Sequence, residues 1–156
     1  MESKKIIITG SATRIGAAIA RSLAGRDIQI TLHYNKSMKA VKDLRKELES
    51  LGTKVFLIKV DLSIMSETKK IIPFAYKMMK GLDCLINNAS VFEKDDLINF
   101  NEKSFNKHMA VNLQAPAKLT QDFKKYLKLK KGNIINIIDQ RIFKLTPFFF
   151  SYTLSK

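Results

Sequence analysis

"KKIIITGSATRIG", residues 4–16, sets three consecutive isoleucines directly before a turn bracketed by Gly10 and Gly16. A short β-branched run that stops at a glycine turn predicts a buried strand. The stretch beyond it predicts a helix from about Arg14 to Leu23. Glycine lets the backbone turn tightly and approach a pyrophosphate, while the N-terminus of the helix offers unpaired N–H groups to negative charge. The spacing differs from G-x-G-x-x-G, because Arg14 stands where a further glycine is often found and places a permanent cation beside the phosphates. Gly10, Thr13, Arg14, Ile15 and Gly16 are therefore the first candidate cofactor residues.

Outward from this loop, short β-type runs alternate with amphipathic stretches, the pattern of a parallel sheet with helices on both faces. "IQITLHY" reads as the second strand and "KAVKDLRKELESLG" as a helix closed by Gly52. "KVFLIKVD" is the third strand, followed by a helix from about Ser66 to Lys80 that Pro73 should kink or shorten. "LDCLINNAS" supplies the fourth strand and its loop, a long helical stretch runs from about Lys103 to Leu129, and "GNIINIID" reads as a fifth, fully apolar strand. The expected fold is one Rossmann-like, doubly wound α/β domain over residues 1–156.

The chain has 156 residues, 46% of them hydrophobic, enough for one domain with a sizeable core. Its single cysteine, Cys84, can form neither an intramolecular disulfide nor a multi-thiolate metal site, and reads as a buried, inert thiol. No apolar run approaches a secretory signal or a membrane span, so the expected location is the cytoplasm, with no membrane partner. The net charge of +14, from 28 Lys+Arg against 14 Asp+Glu, is mostly scattered lysine. Its densest cluster, "KKYLKLKK" at 124–131, falls where cations suit the end of a long helix. A solvated basic surface is expected rather than a nucleic-acid site.

The cofactor can be read further along the second strand. An NAD site needs an acid near the end of that strand to accept hydrogen bonds from the ribose 2′-hydroxyl. From Ile28 to Val41 there is no Asp or Glu; the strand ends "LHYNKS", supplying His33, Tyr34, Asn35, Lys36 and Ser37. A lysine, a hydroxyl and an amide can bind a 2′-phosphate that a carboxylate would repel. NADPH/NADP is therefore the expected cofactor. Lys36 and Ser37 also suit an ordinary helix-start loop, and His33 a core histidine. Asp61 and Leu62 fall on the carboxyl edge of the sheet, where ligands of such folds bind, although Asp61 equally suits a turn. Asn88, Ala89 and Ser90 of "NNAS" end the fourth strand on the same edge.

With "TGSATRIG", "NNAS", Asn112, Tyr152 and Lys156 in this order, the chain resembles the short-chain dehydrogenase/reductase family over its whole length. It departs from most members at Asp139 in "NIIDQ", where they carry a catalytic serine. Aspartate there, the "LHYNKS" loop and Phe92 make it most similar to the pteridine reductase and dihydromonapterin reductase members. The resemblance implies a pterin-like small-molecule substrate, with Phe92 stacking on its ring and Arg14, Asp139 and Tyr152 around it. It also implies that Lys156 holds the nicotinamide ribose and that Asn112 holds a relay water.

The chemistry of these residues suits that implication. Reducing a C=N bond needs hydride on carbon and a proton on nitrogen. Tyr152 can give the proton if a cation lowers its pKa from about 10, and Lys156, one helical turn on, is the expected cation. Asp139 can accept hydrogen bonds from ring N–H groups or pass a proton to Tyr152. Pro116 has no N–H for the Asn112 carbonyl, which predicts a kinked helix with that carbonyl free. Family members continue past the catalytic lysine, so the chain is expected to be the first part of a longer reductase that forms dimers or tetramers. The alternatives are a reductase for 3-oxoacyl thioesters or another carbonyl, and a non-catalytic nucleotide-binding module.

Overall fold

The computed structural model describes residues 3–128 and 130–156. Strand β1 (Lys4–Ile8) leads through the glycine loop into α1 (Arg14–Ser22), followed by β2 (Ile28–Tyr34), α2 (Met38–Ser50) and β3 (Lys54–Lys59). Two short helices, α3 (Met65–Thr68) and α4 (Ile71–Met79), precede β4 (Cys84–Asn87). Then come α5 (Glu102–His108), a π-helical segment (Met109–Gln114), α6 (Ala115–Leu127), β5 (Asn133–Asn136), a 3-10 turn (Gln140–Ile142) and α7 (Phe150–Ser155). All four strand pairings are parallel, in the order β3-β2-β1-β4-β5.

Alternation along β1 explains why both faces are covered. Ile6 and Ile8 point into a cluster with Ala17 and Ala20 of α1 and Val41, Leu44 and Leu48 of α2. Ile7 points the other way, toward Ile71, Ile72 and Ala75 of α4 and Leu119 and Phe123 of α6. Each such fully buried isoleucine stabilises the fold by about 1.5–3 kcal/mol relative to exposure, so the three-residue run ties the two helical layers to one sheet. Chain order reverses beside β1, and the carboxyl ends of β1 and β4 open the crevice in which such folds hold ligands.

Several sequence expectations change in the structure. The helix expected over Ser66–Lys80 is two pieces, with Pro73 in the first turn of α4, where a missing N–H costs nothing. The long helix expected from Lys103 is interrupted by the π segment, whose wider turn absorbs the constraint set by Pro116; the Ala115 N–H reaches back five residues to the Ala110 carbonyl. Its expected end at Leu129 lies outside the described residues. Strand β5 covers only Asn133–Asn136 and is exposed along its length, because among the described strands it pairs with β4 alone. Cys84 is half-buried rather than fully buried, and burial pushes its thiol pKa up. No helix among the described residues is long and apolar enough to cross a membrane.

Candidate active site

The loop after β1 is held from below and from the side. Gly10 has φ +61°, and a Cβ there would lie 2.7 Å from the Ala89 Cα; a Cβ on Gly16 would lie 2.4 Å from the Gly10 carbonyl oxygen. Thr9 Oγ1 accepts hydrogen bonds from the Asn88 and Ala89 amides, each at 3.0 Å. Asn88 Nδ2 donates to the Thr9 and Gly10 carbonyls. The phosphate-type loop and "NNAS" are therefore one interlocked unit. Arg14 adopts φ +51°, the left-handed conformation that explains why glycine often stands at this place. Thr13, Arg14 and Ile15 are all exposed on the rim, and Ser90 is exposed beside them in sequence to the interlocked amides.

His33 and Leu62 are placed differently from a ligand-facing residue. His33 is 2% exposed; its Nδ1 accepts the Gly10 N–H at 3.1 Å and its Nε2 donates to the Val60 carbonyl at 3.1 Å. Burial lowers its pKa to about 4, so the ring is neutral. His33 is the core histidine of the two readings, and it meets the loop from beneath, through Gly10. Leu62 is buried in the α4–α6 cluster. Tyr34 is buried against α2, while Asn35 is half-buried and Lys36 and Ser37 are exposed at the end of β2. Asp61 forms the turn, accepting from the Ser63 amide and hydroxyl, and these bonds, with Asn35 and Lys36 adding to them, hold its carboxyl below the usual range.

The second half of the site gathers around α7. Tyr152 is 4% exposed, and its hydroxyl donates to Asp139 Oδ2 at 2.7 Å. Asp139 Oδ1 accepts the Arg141 amide at 3.0 Å. That amide first, and the Tyr152 hydroxyl second, hold the Asp139 carboxyl below its ordinary range. Asp139 is thus ionised near neutral pH and accepts the Tyr152 hydroxyl here. Burial first, and then Asp139, pushes the Tyr152 pKa up to about 12. This corrects the expected lowering by Lys156. The Lys156 ammonium donates to the Ile137 carbonyl at 2.8 Å and stands 5.8 Å from the Tyr152 ring centre, and burial pulls its own pKa down.

Asn112 joins the two halves. Its Oδ1 accepts the Val91 amide at 2.8 Å and the Ser90 hydroxyl at 3.3 Å. Its Nδ2 donates to the Val91 carbonyl at 3.0 Å and to Ser155 Oγ at 2.8 Å. Ser155 in turn donates to the Tyr152 carbonyl at 2.8 Å. A cleft bordered by Asn87, Asn112, Pro116, Ile137 and Lys156 opens beside this linkage.

Of the expected substrate residues, Phe92, Asp139 and Tyr152 come together, while Arg14 stays on the loop with its side chain exposed. Phe92 is half-exposed, stacked on Phe149 with ring centres 4.2 Å apart and set edge-on to Tyr152 at 4.6 Å. The Arg141 guanidinium lies over Phe149 at 4.5 Å and over Phe92 at 5.5 Å. Thr9, Ser155 and Arg141 were not foreseen. Ser155 did carry a signal, since it sits three residues after Tyr152 and so shares its helix face; Thr9 and Arg141 act through fold-level neighbours that local sequence does not name.

Known proteins resemble the chain over most of its length. The chain is 31% identical over 137 residues to the 3-oxoacyl-[acyl-carrier-protein] reductase FabG of Buchnera aphidicola, covering 86% of this chain and 55% of the relative. An uncharacterised oxidoreductase of Methylorubrum extorquens is 28% identical over 88% of this chain and 55% of its own length. The crystal structure of FolM alternative dihydrofolate reductase 1 from Brucella canis, complexed with NADP, superposes with a TM-score of 0.89 at 34% identity, covering 97% of this chain and 62% of that one. The chain thus spans about half the length of the curated relatives it matches. The short chain dehydrogenase family model matches residues 4–156, and the chain belongs to that family.

Proposed function

We propose that the protein binds NADPH and reduces a pterin-like substrate at a C=N bond, with Tyr152 as the proton donor. The observation that carries this reading is the ionised Asp139 carboxylate bonded to the Tyr152 hydroxyl beside the half-exposed Phe92 ring. A carboxylate accepts hydrogen bonds from the amino and ring N–H groups of a nitrogen-rich heterocycle, and an aromatic face beside it suits a planar ring. FolM, at 34% identity, is named as an alternative dihydrofolate reductase and was solved with NADP, which supports both the substrate class and the cofactor.

The residues present fit the dinucleotide. Gly10 and Gly16 let the loop fold tightly against Ala89 and its own carbonyl into the helix N-terminus that would face a pyrophosphate, and Thr13, Arg14 and Ile15 line the rim. Asn35, Lys36 and Ser37 would meet a 2′-phosphate, and Asn88, Ala89, Ser90 and Asp61 border the same edge. Lys156 would hold the nicotinamide ribose. When bound, the nicotinamide supplies hydride. Asp139 positions the Tyr152 phenol through the 2.7 Å bond, and Tyr152, protonated at neutral pH, delivers its proton to the substrate nitrogen once its hydroxyl turns from Asp139 toward the substrate. Phe92 and Phe149 shield the reacting centre from water.

Oxidation of NADPH by the whole protein, followed at its near-ultraviolet absorbance, tests the reading. Turnover is expected with a dihydropterin and not with a 3-oxoacyl thioester; the reverse preference overturns it. NADPH should bind much more tightly than NADH, and Lys36→Asp should narrow that gap. Equal affinity in the unaltered protein refutes the role given to the β2 end.

A further inference from the structure

The sequence that starts α7 cannot cap itself. Its N-cap residue is Phe149, at φ +66°, with no side chain able to accept a hydrogen bond from the first turn. Helix N-termini leave their first amides without partners, and a Ser, Thr, Asp or Asn at the N-cap ordinarily accepts one from the second or third residue. Here that acceptor comes from far away in sequence. Asp95 Oδ1 accepts the amide of Ser151, the second residue of α7, at 3.1 Å. The Asp95 carbonyl accepts the Phe149 amide, and Asp96 pairs with Phe148 in an antiparallel bridge.

Asp95 gives up hydration to do this. It is 8% exposed, and its Oδ2 has no hydrogen-bond partner within the described structure. A buried carboxylate with one oxygen unsatisfied costs stability, so the single amide it caps is the feature that accounts for its place. The residue after that amide is Tyr152, whose hydroxyl must meet Asp139. The left-handed turn at Phe149 fixes where the helix begins, and Asp95 holds both amides on either side of Phe150.

We propose that Asp95 is a positioning residue, a cap supplied from the β4–α5 connection of the same chain that sets Tyr152 against Asp139. This rests on the reading of Tyr152 as the proton donor. Asn keeps the capping oxygen and Ala removes it, so the two variants separate capping from charge. Asp95→Ala should lower kcat by about tenfold to a hundredfold, as small displacements of a reacting group do, with NADPH affinity unchanged. Asp95→Asn should stay within about threefold of the native protein, since both residues cap equally well.

A second readout does not need turnover. In protein carrying 13C-labelled tyrosine, Tyr152 should titrate near 12 in the native state; in Asp95→Ala its midpoint should fall toward the ordinary value of about 10 as the Asp139 contact loosens. A native Tyr152 titration and native kcat in NADPH-binding Asp95→Ala overturn the proposal, as does equal impairment of the Ala and Asn variants. If Asp95→Ala does not fold, amide exchange in the native protein decides: slow exchange at Ser151 and Phe149 supports the cap, and exchange at the rate of an open loop overturns it. Native protein that turns over no pterin removes the substrate reading alone, because the titration and the exchange still test Asp95.

Discussion

The glycine-bracketed loop after β1 and the short helix α7 serve one crevice, yet they are built in opposite ways. The loop is fixed through its backbone: Gly10 and Gly16 pack closely against Ala89 and the Gly10 carbonyl, and Thr9, His33 and Asn88 bond its amides and carbonyls and those of the adjoining segment from below and from the side. Helix α7 is too short to be stable by itself, and side chains from three other segments hold it. Asp95 takes the Ser151 amide, Asn112 reaches Ser155, and Asp139 takes the Tyr152 hydroxyl. Binding a constant phosphate group needs a rigid backbone cradle. Placing a proton against a substrate, the role proposed for Tyr152, would fall to side chains that can be exchanged without disturbing the sheet.

The largest effect expected to sharpen this contrast is on chemistry alone. Tyr152→Phe should lower kcat by about 10²–10⁴-fold, the usual worth of a positioned general acid, while NADPH affinity measured by fluorescence titration stays native. Turnover surviving this change sinks the role given to Tyr152.

The next prediction concerns the loop and the pH. His33 titrates at about 4 in the fold, below its ordinary 6.5, because its neutral ring is buried under Gly10. A group whose folded pKa is depressed stabilises the fold above its unfolded pKa and loses that stabilisation as pH falls through the folded value. Between pH 6.5 and 4 the unfolding free energy should therefore drop by about 3 kcal/mol from this group. Urea melts across that window measure the drop, and His33→Gln should flatten it. A native slope in the variant would place the acid sensitivity elsewhere.

The smallest of the three effects breaks the loop by shape. Gly16→Ala forces a methyl to within 2.4 Å of a carbonyl oxygen and should destabilise the fold by about 2 kcal/mol, with NADPH affinity falling too. The Tyr152 titration should barely move, because Gly16 reaches the α7 clamp only indirectly, through Asn88, Ser90 and Asn112. A shift there would mean that the two regions are coupled.

The same contrast decides what could be read from sequence. The parallel sheet and the loop were legible because they follow from local patterns: the isoleucine run, the glycines and the alternation of strands with helices. The Tyr152–Lys156 spacing was legible for the same reason. The direction of the Tyr152 pKa shift was not, because it depends on a burial and an Asp139 contact that only the fold creates. Nor was Asp95, which lies 56 residues from the amide it caps and has no neighbour in sequence to announce it. His33 had both readings available, and the choice between them lay in the position of Val60 on the far side of its ring.

The π-helical segment at Met109–Gln114 has a consequence for how this chain could change over time. A π turn is equivalent to one residue inserted into an α-helix, and each α-helical residue advances the face by about 100°. Deleting one residue within the segment would let the helix heal into continuous α form. The backbone would gain regular pairing, yet α5 and α6 could no longer both present their present faces to the core, and Asn112 could not keep Val91 and Ser155 at once. A single-codon deletion there is thus a route by which a descendant could keep the sheet and its glycine loop while losing the linkage that joins them to Tyr152.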